Sequence, residues 1–180
     1  MEKEYLIREK PLKAMTVFAV PMIIGNLFQQ FYTMADSAVV GRFVGEGALA
    51  AVGASYALTT VFISIAIGGG VGASVITGSY FGAREYRKMK ASIRTALISF
   101  FILSVFLGSV GLLFSRQILE ALNTPESVME QAVEYLNIYF LGLPFLFMYN
   151  ILSSMFNALG RSRIPLGLLI FSSVFNVILD

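Results

Sequence analysis

The stretch FYTMADSAVVG, residues 31–41, places a carboxylate, Asp36, near the end of a long apolar segment. The whole chain of 180 residues is 57% hydrophobic and 13% charged, whereas soluble domains carry about 25% charged residues. The apolar residues also come in blocks of about 20 or more, the length that crosses a bilayer as a helix. The sequence therefore predicts an all-α, polytopic membrane protein and excludes a soluble domain.

Five membrane-spanning helices are predicted, at about residues 14–40, 49–80, 93–114, 125–159 and 165–180. Each is long enough to cross roughly 30 Å of hydrocarbon at about 1.5 Å per residue, with some tilt. The last one is still apolar where the sequence stops, and an odd number of spans that ends on an acid indicates a chain truncated within its fifth helix.

The cations are distributed unequally between the two sides of the predicted membrane. Two of them, Arg42 and Arg116, fall on one side, and the other eleven fall on the opposite side, at Lys3, Arg8, Lys10, Lys13, Arg84, Arg87, Lys88, Lys90, Arg94, Arg161 and Arg163. Because Lys and Arg are enriched in cytoplasmic loops, the N-terminal residues 1–13 are predicted to be cytoplasmic. The cell membrane of a prokaryote is the expected location.

Residue types that are absent limit the chemistry. The chain has no Cys and no His, which excludes disulfides and thiolate metal sites and argues against zinc or haem ligation. No nucleophile–base set, metal motif or nucleotide motif is present, so we expect neither an enzyme nor a cofactor. Any proton carrier within the spans has to be Asp, Glu, Lys or Tyr.

Polar side chains recur at helical spacing in three of the spans, and each set forms a stripe on one face of its helix. The stripes comprise Asn26, Gln29, Thr33 and Asp36 in the first span, Asn150, Ser153 or Ser154, and Asn157 in the fourth, and Ser172 or Ser173, Asn176 and Asp180 in the fifth. The simplest arrangement directs all three stripes at one hydrated cavity, with Tyr32 and Tyr139 as further lining residues. The alternative is that the polar residues only hold helices together.

Asp36 and Asp180 are the ionisable residues inside the apolar blocks. Such a group costs about 2.5–3.5 kcal/mol at the centre of a membrane helix, so it usually faces protein or water. Asp36 lies about 33 Å along its helix from Ala14, and Asp180 about 22 Å from Pro165, which puts both in the outer half of the bilayer. Two acids in one compartment can share a proton or a cation, and the Asn176 amide can donate to a carboxylate or offer its carbonyl to Na⁺. Competition between that ion and a cationic organic molecule would give exchange transport.

Two further features concern helix geometry. Pro21 removes a backbone hydrogen bond within the first span and leaves the Val17 carbonyl without its helical partner, and Pro144 does the same to Phe140. We expect a functional bend at Pro21. Gly68 and Gly72 in IGGGVGAS stand at the GxxxG spacing that allows close helix packing.

Several stretches together resemble one family, the multidrug and toxic compound extrusion (MATE) transporters. They are Pro21, MADSAVVGRFVGEGALAAVG (34–53), GGGVGAS (68–74), FGAREY (81–86), YLNIYFLGLPF (135–145), FNALGRSRIP (156–165) and NVILD (176–180). The resemblance implies a parent protein of twelve helices in two six-helix lobes, of which residues 14–180 would form most of the N-terminal lobe. It also implies export of cationic or amphipathic small molecules driven by H⁺ or Na⁺.

An Asp in the first helix together with Asn-x-x-x-Asp in the fifth is similar to the DinF-like branch of that family. The resemblance assigns Asp36, Asn176 and Asp180 to cation coupling, by H⁺ or Na⁺, and Pro21 to the bend. Two other functions stay open. A lipid-linked oligosaccharide flippase of the same superfamily would need a cavity lined by Arg or Lys, and a non-transporting membrane assembly protein would need the stripes only for packing.

Overall fold

The chain forms five helices in sequence: α1 (Pro11–Val39), α2 (Glu46–Gly82), α3 (Tyr86–Ala121), α4 (Glu126–Ala158) and α5 (Arg163–Leu179). The computed structural model describes residues 11–39, 41–42 and 45–179, without the side chains of Pro11, Ala14, Phe18, Tyr32, Asp36, Glu46 and 176–179. No strand occurs within these described residues. The predicted all-α class and the number of helices are confirmed.

Helices α2 and α3 extend past their predicted spans at both ends, most of all α3, which covers residues 86–121 rather than 93–114. Hydropathy marks only the apolar part of a helix, and the polar turns at both ends of α3 stay helical outside that part. Within the described residues, 47–82, 86–121 and 126–158 are long and apolar enough to cross a membrane, and the apolar stretch of α5 at 163–175 is shorter.

Short connections make consecutive helices antiparallel. Residues 83–85, 122–125 and 159–162 join α2 through α5, and residues 40–45 join α1 to α2. Connections of this length return the chain along the preceding helix. Helices α1, α3 and α5 therefore run in the same direction, and the connections at 83–85 and 159–162 lie at the end of the bundle where α1 begins.

Helix α4 is the centre of a three-helix core and packs against both α2 and α3. Its buried face is made of large side chains, among them Leu136, Phe140, Leu143, Phe147 and Ile151, each at most 1% exposed. The opposing face of α3 is made of small residues, with Ser104, Gly108, Gly111 and Ser115 buried. Since lipid gives apolar helices little reason to associate, this fit of large into small residues is the main source of their attraction.

One close approach in this core involves the carbonyl that Pro144 leaves without a helical donor. A Cβ built on Gly108 would lie 2.9 Å from the Phe140 carbonyl oxygen, and one on Gly111 would lie 2.5 Å from the Phe140 ring. Pro144 has no N–H to bond the Phe140 carbonyl, so this oxygen is free to turn toward the α3 backbone. Only glycine at position 108 leaves room for it.

The prediction that Gly68 and Gly72 lie where α2 packs closely against another helix was wrong. Cβ atoms on Gly68 and Gly72 would meet nothing within 4 Å, whereas a Cβ on Gly69 would collide with the Phe100 ring. One on Gly70 would lie 2.6 Å from Ser154 Oγ. Neighbouring helix positions are about 100° apart around the axis, so GxxxG spacing identified the segment but not the face that packs.

Helix α1 has α5 as its main packing partner, and α5 in turn contacts α4. Gly25 is buried at this junction, where an added Cβ would lie 3.6 Å from Leu166 Cδ1 and 3.8 Å from Leu169 Cδ2. The α1–α5 pair therefore stands beside the three-helix core rather than within it, and this arrangement leaves space between the two units.

The packing at Gly108 predicts that G108A in the full-length parent protein lowers the melting temperature in detergent. The added methyl group has to displace backbone rather than a flexible side chain, and overpacking of this kind costs about 1–3 kcal/mol.

The matched control is G72A, which adds the same methyl group to open space. Replacing a helical glycine with alanine there should leave stability unchanged or raise it by up to about 1 kcal/mol. Equal effects of the two substitutions would contradict the packing described for α3 and α4.

Candidate functional site

A cavity of about 490 Å³ separates the α1–α5 pair from the core. It is lined from four helices and the connection before α5, by residues Pro21, Met22, Gly25, Asn26, Gln29, Ile67, Val71, Ser74, Val75, Gly78, Tyr149, Asn150, Ser153, Ser154, Asn157, Ala158, Ser162, Pro165, Leu166 and Leu169. This volume falls within the range of roughly 300–1,000 Å³ typical of small-molecule sites. We call it the interhelical cavity.

Two of the three predicted polar stripes meet in the interhelical cavity. Helix α1 contributes Asn26 and Gln29, and helix α4 contributes Asn150, Ser153, Ser154 and Asn157. The remaining walls are mostly aliphatic, and none of the lining residues named above is charged. Amides and hydroxyls on apolar walls offer hydrogen bonds without fixed charge, an arrangement that suits amphipathic organic molecules.

The two asparagines of α4 that line the cavity differ in how their polar atoms are satisfied. Asn150 Nδ2 donates to the Leu146 carbonyl oxygen one turn earlier, at 2.9 Å. The Oδ1 atom of Asn157 is buried without a hydrogen-bond partner. Since buried polar atoms are nearly always paired, the Asn157 carbonyl is the atom of the cavity wall most in need of a donor from water or a bound molecule.

Other predicted residues lie elsewhere. The Thr33 hydroxyl donates to the Gln29 carbonyl oxygen of its own helix at 2.9 Å, and Thr33 is not part of the lining. The Tyr139 hydroxyl donates to the Thr59 carbonyl oxygen at 3.2 Å, so Tyr139 packs between α4 and α2 away from the cavity. Pro21, inside α1, lines the cavity directly.

The predicted coupling residues fall at the edge of what the structure describes. Asp36 belongs to α1 and Asn176 to α5, but the structure does not describe their side chains or that of Tyr32. Asp180 lies outside the described residues. In the described part of the chain, no group of three or more His, Cys, Asp and Glu is placed to hold a metal ion.

Sequence reasoning missed the contribution of α2 to the cavity wall, which includes Ser74 and Gly78. It also missed Tyr149 and Ser162, the latter 4% exposed in the connection before α5. A signal was present, because GGGVGAS was singled out for close packing. That packing brings Gly70 against Ser154 and so places the next turn of α2 beside the polar stripe of α4.

Comparison with known proteins identifies the family. The sequence model of the MatE family matches residues 21–180. The chain belongs to the MATE transporter family. It is an integral membrane protein of this family, and it spans about 40% of the length of the curated relatives that it matches.

Among relatives of this MATE chain is a probable multidrug resistance protein, YoeA, of Bacillus subtilis, 34% identical over 98% of the chain and 39% of the relative. A protein of Shewanella oneidensis named FAD transporter is 26% identical over 90% of the chain and 36% of its own length. A solved MOP superfamily transporter from Pyrococcus furiosus superposes with a TM-score of 0.93 at 26% identity, covering 100% of this chain and 40% of that one. It is described as having a binding pocket of reverse polarity that suggests a different function.

Water in the interhelical cavity can be tested by thiol labelling in the full-length parent. We expect S153C to react with a water-soluble thiol reagent, because thiolate forms only where water solvates it. The control is S104C, at a serine that is 0% exposed in the core between α3 and α4. Protection of S153C to the same degree as S104C would contradict a hydrated cavity.

Proposed function

We propose that the full-length parent is a cation-coupled multidrug efflux antiporter, which exports cationic or amphipathic small molecules by alternating access. The interhelical cavity is the observation that supports this proposal most strongly. It lies at membrane depth between two helical units, it collects polar side chains from α1 and α4, and it has the volume of a drug-sized site. We further propose that the N-terminus is cytoplasmic and that the cytoplasmic membrane is the location.

The register between α1 and α5 supports a coupling site made of Asp36, Asn176 and Asp180. Gly25 is level with Leu166 and Leu169 where the two helices touch. Asp36 lies eleven positions beyond Gly25, about 16 Å further along α1. Because α5 runs in the same direction, the same advance from Leu166 and Leu169 reaches positions 177 and 180. Helices that stay parallel would bring the acids to one depth.

Pro21 gives a physical route from this ion site to the cavity. Asp36 belongs to α1, the same helix whose residues Pro21, Asn26 and Gln29 line the cavity wall. A change in the charge of Asp36 alters how α1 packs on α5, and a helix interrupted by proline bends at a lower cost than an intact one. We propose that ion binding changes the bend at Pro21 and thereby the shape of the cavity.

The absence of charge from the cavity lining argues against the alternatives that handle anionic lipids or nucleotides. A pyrophosphate-linked oligosaccharide, like the diphosphate of FAD, calls for Lys or Arg, and the described lining has neither. An assembly protein that uses its polar residues only for packing has no need of a cavity of this volume or of the unpaired Asn157 carbonyl.

The coupling assignment predicts that D36N and D180N, each in the full-length parent, reduce ion-driven substrate efflux from vesicles at least tenfold. An amide keeps the size of the carboxylate but cannot take up a proton or balance a cation. The matched control is E126Q at the start of α4, an 83% exposed carboxylate that should be dispensable. Unchanged pH and Na⁺ dependence of efflux in both Asp variants would eliminate this coupling site while leaving the cavity proposal intact.

The cavity assignment predicts that N157A weakens the apparent affinity for substrates that donate hydrogen bonds, by about five- to tenfold for a hydrogen bond worth about 1 kcal/mol. Asn137 is a close control, because its Oδ1 is also buried and unpaired on α4 but it does not line the cavity. Drug tolerance of cells and KM of purified protein should change with N157A and not with N137A. Equal effects of the two would point to α4 stability instead of substrate binding.

A further inference from the structure

A second groove lies on the opposite side of α2, between α2 and α3, and shares no described lining residue with the interhelical cavity. It has a volume of about 660 Å³, and its two walls run from Tyr80 to Gly69 on α2 and from Lys88 to Phe100 on α3. We call it the α2–α3 groove. Its walls are mainly apolar, with Ala73 and Ile76 on one side and Ala91 and Ala96 on the other.

The groove opens to the outside of the bundle. Ile76 lines it and is 54% exposed, and Ile98 and Ile102 nearby on α3 are 50% and 63% exposed. Aliphatic side chains exposed on a membrane-spanning helix offer an apolar surface on which an acyl chain can lie. The bottom of the groove is shaped by Gly69, which lets the Phe100 ring lie directly against the α2 backbone.

A cation lies at the mouth of the groove, next to a segment rich in Lys and Arg. Lys88 lines it, with its Nζ atom 2.6 Å from Glu85 Oε2 and 5.8 Å from the centre of the Tyr80 ring. The surrounding eleven residues, 84–94, contain five cations, Arg84, Arg87, Lys88, Lys90 and Arg94, against one acid, Glu85. Among the described groove-lining residues Lys88 is the one cation. A segment with a net charge of about four positive units next to an apolar groove favours an anion that carries a hydrocarbon chain.

The length of the groove equals the depth of one leaflet. From Tyr80 to Gly69 is eleven residues, or about 16 Å of helix, and half of the hydrocarbon core is about 15 Å. The Ser92 hydroxyl lies one turn deeper than Lys88 and 3.3 Å from the Thr77 hydroxyl. The groove-lining Ser92 hydroxyl lies at the level expected for the ester carbonyls of a lipid whose phosphate is at Lys88, and the buried Thr77 hydroxyl behind it is its hydrogen-bond partner.

We propose that the α2–α3 groove binds one anionic phospholipid of the cytoplasmic leaflet. Its phosphate pairs with Lys88 and the neighbouring cations, and one acyl chain lies along Ile76, Ala73 and Gly69. The choice of leaflet rests on the orientation proposed above, whereas the groove itself is independent of drug export. A lipid held here ties the α2–α3 connection to the membrane surface while the α1–α5 pair moves.

The test uses the purified full-length parent in detergent, titrated with phosphatidylglycerol or phosphatidylcholine of identical chains and examined by native mass spectrometry. We expect one phosphatidylglycerol to be retained in preference to phosphatidylcholine. K88Q should weaken its retention about fivefold, the effect of losing roughly 1 kcal/mol per cation at a membrane surface. The control K90Q removes a cation from the same first turns of α3 that does not line the groove, and its effect should be smaller.

A91W is the second variant, because it fills the apolar wall without changing charge, and it should abolish retention of the bound lipid. Equal retention of the two lipids would overturn the proposal. So would unchanged retention in both K88Q and A91W, since another segment of the parent would then occupy the groove. Displacement of the lipid by millimolar inorganic phosphate would also overturn the proposal, because it would show that the acyl chain adds nothing to the affinity of the groove for the lipid. None of these measurements depends on drug efflux, so failure here leaves the transport proposal untouched.

Discussion

A polar side chain in a membrane-spanning helix has to face protein or water, and the rest of the structure depends on this constraint. Helices α2, α3 and α4 form a core in which large side chains of α4 pack against small residues of its neighbours. Helices α1 and α4 also carry amides and hydroxyls along one face, and those faces meet across the interhelical cavity. The chain therefore contains a packed three-helix core and a second unit, α1 with α5, beside it.

Glycine and proline decide where backbone can approach backbone. Gly108 leaves room for the Phe140 carbonyl, which has no helical donor because of Pro144. The interruption of α4 at Pro144 and the close contact between α3 and α4 at Gly108 therefore occur together. Gly25 has a comparable role in the second unit, where it admits Leu166 and Leu169 against α1. That contact is what relates the heights of the two helices, and hence the heights of Asp36 and the Asn176–Asp180 pair in the proposed coupling site.

The helices and part of the cavity lining could be predicted from the sequence. Long apolar blocks predict the helices, and polar residues at helical spacing predicted that Asn26, Gln29, Asn150 and Asn157 share a compartment, which the cavity lining agrees with. The helical phase of the glycines could not be predicted, because Gly68 and Gly69 differ only by a rotation that neighbouring helices decide. Tyr139 illustrates the same limit, since its hydroxyl bonds to the Thr59 carbonyl on α2 instead of facing the cavity. When depth is counted from the start of each helix, Asp36 and Asp180 differ by about 11 Å. The contact of Gly25 with Leu166 and Leu169 shows how far α1 and α5 are shifted along each other, which the sequence could not supply.

The most direct test of this account is a cross-linking measurement on the full-length parent carrying D36C and D180C, using a short bifunctional thiol reagent. The 180 residues contain no Cys, so the background from this part of the protein is low. A reference pair, G25C with L166C, reports the contact between α1 and α5 that the structure describes. The account predicts efficient cross-linking of both pairs. Cross-linking of the reference pair without cross-linking of D36C to D180C would show that the two acids do not share a compartment, and it would contradict the proposed coupling site.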